Sequence, residues 1–155
     1  MNIGVIGGYK PSRKAYKTAY ELGRLIVREG WTLVCGGGSG VMEAACKGAW
    51  EEGGVSVGIL PSSDERSANR FVSVKIPTGL GYARNILVVR ASRFLIAIDG
   101  KYGTLSEIAF ALNEGKKVVG INTWGIEGVV KATSPKKAIA WIRRYKKRQR
   151  KPASF

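Results

Sequence analysis

Nine consecutive residues, Asp99-Gly100-Lys101-Tyr102-Gly103-Thr104-Leu105-Ser106-Glu107, bring together two carboxylic acids, a lysine, three hydroxyls and two glycines. The apolar run Phe94 to Ile98 before them reads as a buried strand. Leu105, Ile108, Ala109 and Leu112 after them fall at i, i+3, i+4 and i+7, the spacing of one helix face. A glycine-bearing turn between a strand and a helix start presents free backbone N–H groups at the positive end of the helix dipole. Such a turn takes an anion, most often a phosphate. Gly100, Lys101, Tyr102, Gly103 and Thr104 are therefore the expected phosphate contacts. Thr104-x-x-Glu107 is also the pattern of a capping box, in which the two side chains serve only the helix end.

Two further glycine loops follow strand-like runs: Gly7-Gly8 after Ile3 to Ile6, and Gly36-Gly37-Gly38-Ser39-Gly40, with Met42 just beyond, after Trp31 to Cys35. In a parallel sheet, loops that follow strands open on the carboxyl edge, where such folds bind ligands. The three loops therefore converge on one crevice. Neither G-x-x-x-x-G-K-[ST] nor a complete G-x-G-x-x-G occurs, which argues against P-loop and dinucleotide chemistry. A mononucleotide or another phosphorylated small molecule remains. Tyr9 and Lys10 are placed either to close over the phosphate or to sit in a solvated loop.

The chain has no histidine among its 155 residues, which excludes Ser-His-Asp and Cys-His nucleophilic systems and the usual zinc hydrolase sites. Acid–base work then falls to Asp, Glu, Lys, Tyr or Cys. No metal-ligand set is apparent, Asp99 having no second carboxylate close by in sequence. Cys35 and Cys46 lack a C-x-x-C spacing and read as small core residues, kept reduced. No apolar run has the length to span a bilayer, and no signal peptide pattern opens the chain, so the expected setting is cytoplasmic, with no membrane partner. Net charge is +15, and residues 131–155 carry ten of the basic groups and no acid. A run such as Arg143 to Lys151 suits either a solvated end or nucleic acid, and nucleic-acid contact is expected only through this tail.

Strand-like and helix-like stretches alternate throughout. Ser12 N-caps a helix over Ala15 to Ile26, stopped at Glu29-Gly30, and a second helix runs from about Val41 to Glu52. Val55 to Leu60 and Phe71 to Ile76 are strands, with Ser62 to Arg70 a mobile loop over the site. A helix from about Tyr82 to Ser92, apolar nearly all round at Ile86 to Val89, calls for cover on more than one side and suggests a subunit interface. Val118 to Ile121 is a strand, Val129-Val130 a short edge strand, and Ser134-Pro135 opens a basic terminal helix. Trp124 and Trp141 read as packing residues. The alternation predicts an α/β fold: a single doubly wound, Rossmann-like, mainly parallel sheet of six to seven strands with helices on both faces. The nucleotide-binding domain would span 1–132, with 133–155 a basic helix and tail packed on it or extending from it.

Three stretches resemble a known family. Gly36 to Ala44 is similar to the G-G-G-x-x-G-x-M-G-A loop of the LOG ("lonely guy") phosphoribohydrolases, and Asp99 to Glu107 to their P-G-G-x-G-T-x-x-E motif. Arg84, in Gly81-Tyr82-Ala83-Arg84-Asn85, falls where that family has its other essential arginine. The fuller wording resembles a bacterial and archaeal branch that is also similar to molybdenum-cofactor carriers. The resemblance implies a homodimer that hydrolyses the N-glycosidic bond of a nucleoside 5′-monophosphate, a purine nucleotide foremost, without a cofactor. It assigns catalysis to Arg84 and Glu107. Glu107 would stabilise an oxocarbenium-like ribosyl cation or activate water, and Arg84 would hold Glu107 or bind substrate. Asp99, Lys101 and Asn85 depart from the family's pattern. They point to the alternative, a non-catalytic carrier of a nucleotide or of the molybdenum cofactor.

Overall fold

The computed structural model describes residues 1–149. Among them the alternation becomes β1 (Asn2–Gly7), α1 (Arg13–Arg28), β2 (Thr32–Cys35), α2 (Val41–Glu51), β3 (Ser56–Leu60), β4 (Val74–Pro77), α3 (Asn85–Ala91), β5 (Phe94–Ile98), α4 (Tyr102–Asn113), β6 (Lys117–Ile121), β7 (Val129–Lys131) and α5 (Pro135–Gln149). The seven strands form one sheet in the order β4-β3-β2-β1-β5-β6-β7, and every pairing is parallel. The chain winds outward from β1 in one direction, returns to β5 and winds outward in the other.

Side chains alternate between the two faces, as a pleated strand requires. Ile3, Val5, Leu33, Phe94 and Ile96 pack under α1, α2 and α5. Ile6, Val34, Leu95 and Ala97 face the opposite way, with Val88 and Val89 of α3 and Ile108 of α4. On the first face α1 and α2 nearly touch backbone to backbone. A Cβ on Gly23 would lie 2.0 Å from the Ala45 carbonyl oxygen, and one on Gly48 would lie 2.1 Å from that of Tyr20. Gly23→Ala must force the helices apart, so we expect a loss of about 2–3 kcal/mol, read as a lower urea midpoint with an unchanged slope.

Three elements differ from the sequence reading. The fourth strand begins at Val74 rather than Phe71. Phe71 and Val72 are spent as buried anchors, and Asn69 shapes the turn before them: its carboxamide oxygen accepts from the Phe71 N–H at 3.1 Å. The helix expected from Tyr82 is split into a 3-10 turn, Gly81–Arg84, and the seven-residue α3. Of its apolar positions, Val88 and Val89 are buried while Ile86 and Leu87 are half-buried. The segment 62–70 does not line the crevice and meets the loop after β2 at Asn69. Its Asn69 Nδ2 donates to the Gly38 carbonyl at 2.9 Å, and its Arg66 pairs with Asp64 at 2.8 Å.

The terminal helix forms as read. The Ser134 hydroxyl accepts from the Lys137 N–H at 3.3 Å, and Ile139 and Ile142 are buried against the domain. Arg150 and Lys151 of the basic run lie outside the described residues. No helix among those described is long and apolar enough to cross a membrane.

Candidate functional site

A doubly wound sheet has one place where neighbouring strands send their connections to opposite faces, and that divergence opens a crevice. Here it lies between β1 and β5. A cavity of about 400 Å³ occupies it, lined by the turns after both strands: Gly7, Gly8, Tyr9 and Lys10 from the first, Asp99 to Thr104 from the second. Met42, Tyr82, Arg84, Asn85 and Glu107 complete the wall.

The turn after β5 is bent by two residues in the left-handed region, Asp99 at φ 51° and Gly100 at φ 99°. Asp99 is held there by its neighbours: its N–H donates to the Ile121 carbonyl at 3.3 Å, and its carbonyl accepts from the Thr123 hydroxyl at 2.6 Å. At Gly100 a Cβ would come within 2.2 Å of Thr104 Oγ1, so only glycine fits. The turn delivers the chain into α4, whose first bonded N–H is that of Leu105, to Lys101 O at 2.9 Å. No side chain caps this end. The capping box is thus not formed: Thr104 already lies in the first turn of the helix, and Glu107 points into the interior instead. The first-turn N–H groups stay free for a ligand.

Glu107 and Arg84 meet as expected, both buried, with Arg84 Nη1 and Glu107 Oε1 4.0 Å apart. Burial raises the Glu107 pKa to about 8, with the guanidinium opposing the rise. Its carboxyl group is therefore largely protonated at neutral pH. Arg84 is fixed by its other contacts. It hydrogen-bonds the Asn85 side-chain oxygen, and its Nη2 donates to the Gly36 carbonyl at 3.4 Å, while its buried Nε has no partner. Asn85 in turn donates to Ser106 Oγ at 3.1 Å, and Ser106 donates to the Gly103 carbonyl at 2.7 Å. One polar chain therefore runs from the β2 loop through Arg84 and Asn85 to the first turn of α4.

The Gly36–Gly40 loop stands behind the cavity rather than on its surface. Gly36, Gly37 and Gly40 are buried. A Cβ on Gly36 would meet the guanidinium at 2.5 Å, and one on Gly40 the Gly8 carbonyl oxygen at 2.4 Å. The loop's glycines let Arg84 and the Gly8–Tyr9 backbone approach, and Gly38 accommodates the Met42 and Tyr9 side chains. Ser39 is exposed, its hydroxyl 3.5 Å from the Tyr9 carbonyl. Of this group only Met42 reaches the cavity wall.

Two features were hidden from sequence. Tyr82 lines the cavity yet is 81% exposed, and nothing in its spacing marks it. Cys35 and Cys46, separated too far for a motif, are buried side by side with sulfurs 3.5 Å apart beneath the β2 loop. Trp124, read as a packing residue, is exposed instead, tilted on the exposed Tyr102 at 6.1 Å with its Nε1–H donating to the Lys101 carbonyl at 3.2 Å. It therefore props one wall of the mouth.

A protein of Archaeoglobus fulgidus described only as uncharacterized is 44% identical over 140 residues, covering 90% of this chain and 92% of its own. The molybdenum cofactor binding protein of Rippkaea orientalis has a similar structure, with TM-score 0.89 and 38% identity over 93% of this chain and 96% of that one. The cytokinin riboside 5′-monophosphate phosphoribohydrolase of Mycobacterium tuberculosis is 32% identical over 116 residues, 69% of this chain; the match spans 62% of the hydrolase's length. The model of the SLOG cluster4 family matches residues 1–149, and the chain belongs to that family.

Proposed function

We propose that the cavity binds a phosphorylated heterocycle, with its phosphate on the first turn of α4. The observation that carries this reading is the uncapped start of that helix, facing a cavity that also holds the buried Arg84. Free N–H groups, the helix dipole and a guanidinium act together on an oxyanion. Lys10 and Lys101 add positive charge to the wall, opposed by Asp99. Tyr9, Tyr82 and Tyr102 line the wall and offer faces for a planar ring. Nucleoside monophosphates and pterin-type cofactors share this chemistry, and the relatives named for each support both. The half-buried Ile86 and Leu87 on α3 support a homodimer.

A second reading, hydrolysis of the N-glycosidic bond, is favoured by Glu107. A carboxylic acid with a pKa of about 8 holds a proton at neutral pH and can give it to a leaving base. The bond between ribose and base would break, the base would take the Glu107 proton, and water would add to the ribosyl cation, its released proton returning to the Glu107 carboxylate. The product pair is free base and ribose 5-phosphate. A carrier would release its ligand intact, whereas a hydrolase would release these two products.

Titration with AMP, GMP, IMP and CMP separates them. Binding should raise the melting temperature, with about 2.7 kcal/mol of stabilisation at a hundredfold excess over Kd. Mass spectrometry of gently purified protein tests for a pterin-type ligand. Absence of both a thermal shift and a copurified phospho-ligand defeats the binding reading. Free base, followed by chromatography, should exceed that formed by Glu107→Gln if the site turns over; equal traces leave the carrier reading alone.

A further inference from the structure

The opposite end of the sheet carries a second cleft, and we propose that it binds the phosphate backbone of a nucleic acid, independently of what the switch-point cavity holds. The cleft, about 800 Å³, lies where β1 and β5 begin. Asn2, Arg90, Arg93, Lys116, Lys146 and Gln149 line it, four cations with no carboxylate in the wall. Two of the cations are engaged. Arg90 pairs with Glu114 at 2.7 Å, and Lys116 Nζ donates to the Val89 and Ser92 carbonyls at 2.7 and 2.5 Å, closing the end of α3.

The other two meet neutral groups. Arg93 Nη2 donates to the Gln149 side-chain oxygen at 3.3 Å, and Lys146 lies over the Trp31 ring at 5.3 Å. Neither has a carboxylate partner among the described residues. α5 extends the positive surface from Lys146, with Arg144, Lys147 and Arg148 on its exposed side. A helix of its 15 residues is about 22 Å long. The acids near this end, Glu29 and Glu114, are already paired, with Arg143 and Arg90.

Cations spread along a concave track suit an extended polyanion better than a compact one. A membrane surface would call for apolar side chains beside the charges, and none of the exposed large hydrophobics lies in this wall or on α5. The wall offers charge without a free fork for base edges, since Arg93 is occupied by Gln149. Binding should therefore be indifferent to sequence and strongly salt-dependent.

Fluorescence anisotropy of the full chain with labelled single-stranded and duplex 20-mers tests this. We expect binding at 50 mM KCl that weakens by 200 mM roughly 40-fold for duplex and roughly 20-fold for single strands, as for about three neutralised phosphates. Arg93→Gln/Lys146→Gln should weaken it about tenfold and flatten the salt dependence. Arg144→Gln/Arg148→Gln, on the surface of α5, should act in the same direction. Lys14→Gln/Lys17→Gln removes equal charge from exposed positions near the start of α1, by the other end of the sheet, and should change little. The proposal is overturned by no binding at 50 mM, by equal losses in all three pairs, or by capture on vesicles containing 30% phosphatidylserine without nucleic-acid binding.

Discussion

Replacing Glu107 by Gln is expected to stabilise the protein at alkaline pH by about 5 kcal/mol while removing any glycosidic activity. The sign depends on where the proton sits. Unfolded, the carboxyl group titrates at its ordinary 4.5; folded, burial holds the proton to about 8. Between those values the folded state binds the extra proton, so stability falls as pH rises, at 1.36 kcal/mol per unit, and levels off above 8. Gln carries no such proton. Melting curves of the two proteins should coincide near pH 4.5 and separate by on the order of 10 °C at pH 8.5, with the variant higher. A wild-type minus variant difference that does not change with pH would mean that Glu107 is ionised in the fold.

Arg84→Met tests the other half of the pair, keeping length and apolar volume while deleting the charge. The guanidinium is what opposes the rise in the Glu107 pKa. Its loss should carry the alkaline end of the stability slope above pH 8, and with it the window over which Glu107 holds a proton. The same change removes the donor to the Gly36 carbonyl and a cation from the cavity wall. Phosphorylated ligands should bind about 100-fold more weakly, a loss of about 2.7 kcal/mol, in the range of a charge-assisted hydrogen bond. Calorimetry with a nucleotide that stabilises the wild type measures the loss, and the pH dependence of melting measures the shift. An unchanged affinity would remove Arg84 from ligand recognition even if the titration moves.

The fold was legible because its local signals agree. Continuous apolar strands, glycine stops and Ser caps all point to the same alternation, and periodicity needs no long-range knowledge. Boundaries failed where tertiary contacts overrode pattern: Phe71 and Val72 look like the start of a strand, but an asparagine side chain turns them into the core. The cavity's lining was legible at Gly7-Gly8, Gly100 to Thr104 and Glu107, because a turn between strand and helix has a fixed direction. The role of Gly36 to Gly40 was less so. A dense glycine loop can admit either a ligand or another piece of protein, and composition does not distinguish them; here a guanidinium and a neighbouring backbone fill the space. Thr104 and Glu107 matched a capping pattern that the helix start, two residues before Thr104, makes impossible.

The strand order also governs how the molecule comes together. β1, the first strand made, is central, and its partner on one side lies far along the chain: Ile3 pairs with Phe94, and Gly7 with Ile98. β1 to β4 can zip in sequence on one side and β5 to β7 on the other, but within the sheet the two halves are joined by that single remote pairing, with the large loop-closure entropy that slows folding. The cavity sits on this seam. Gly7 and Gly8 belong to one half and Asp99 to Thr104 to the other, so neither half alone forms the cavity. A ligand of the kind proposed above would bridge the two halves and hold the seam closed.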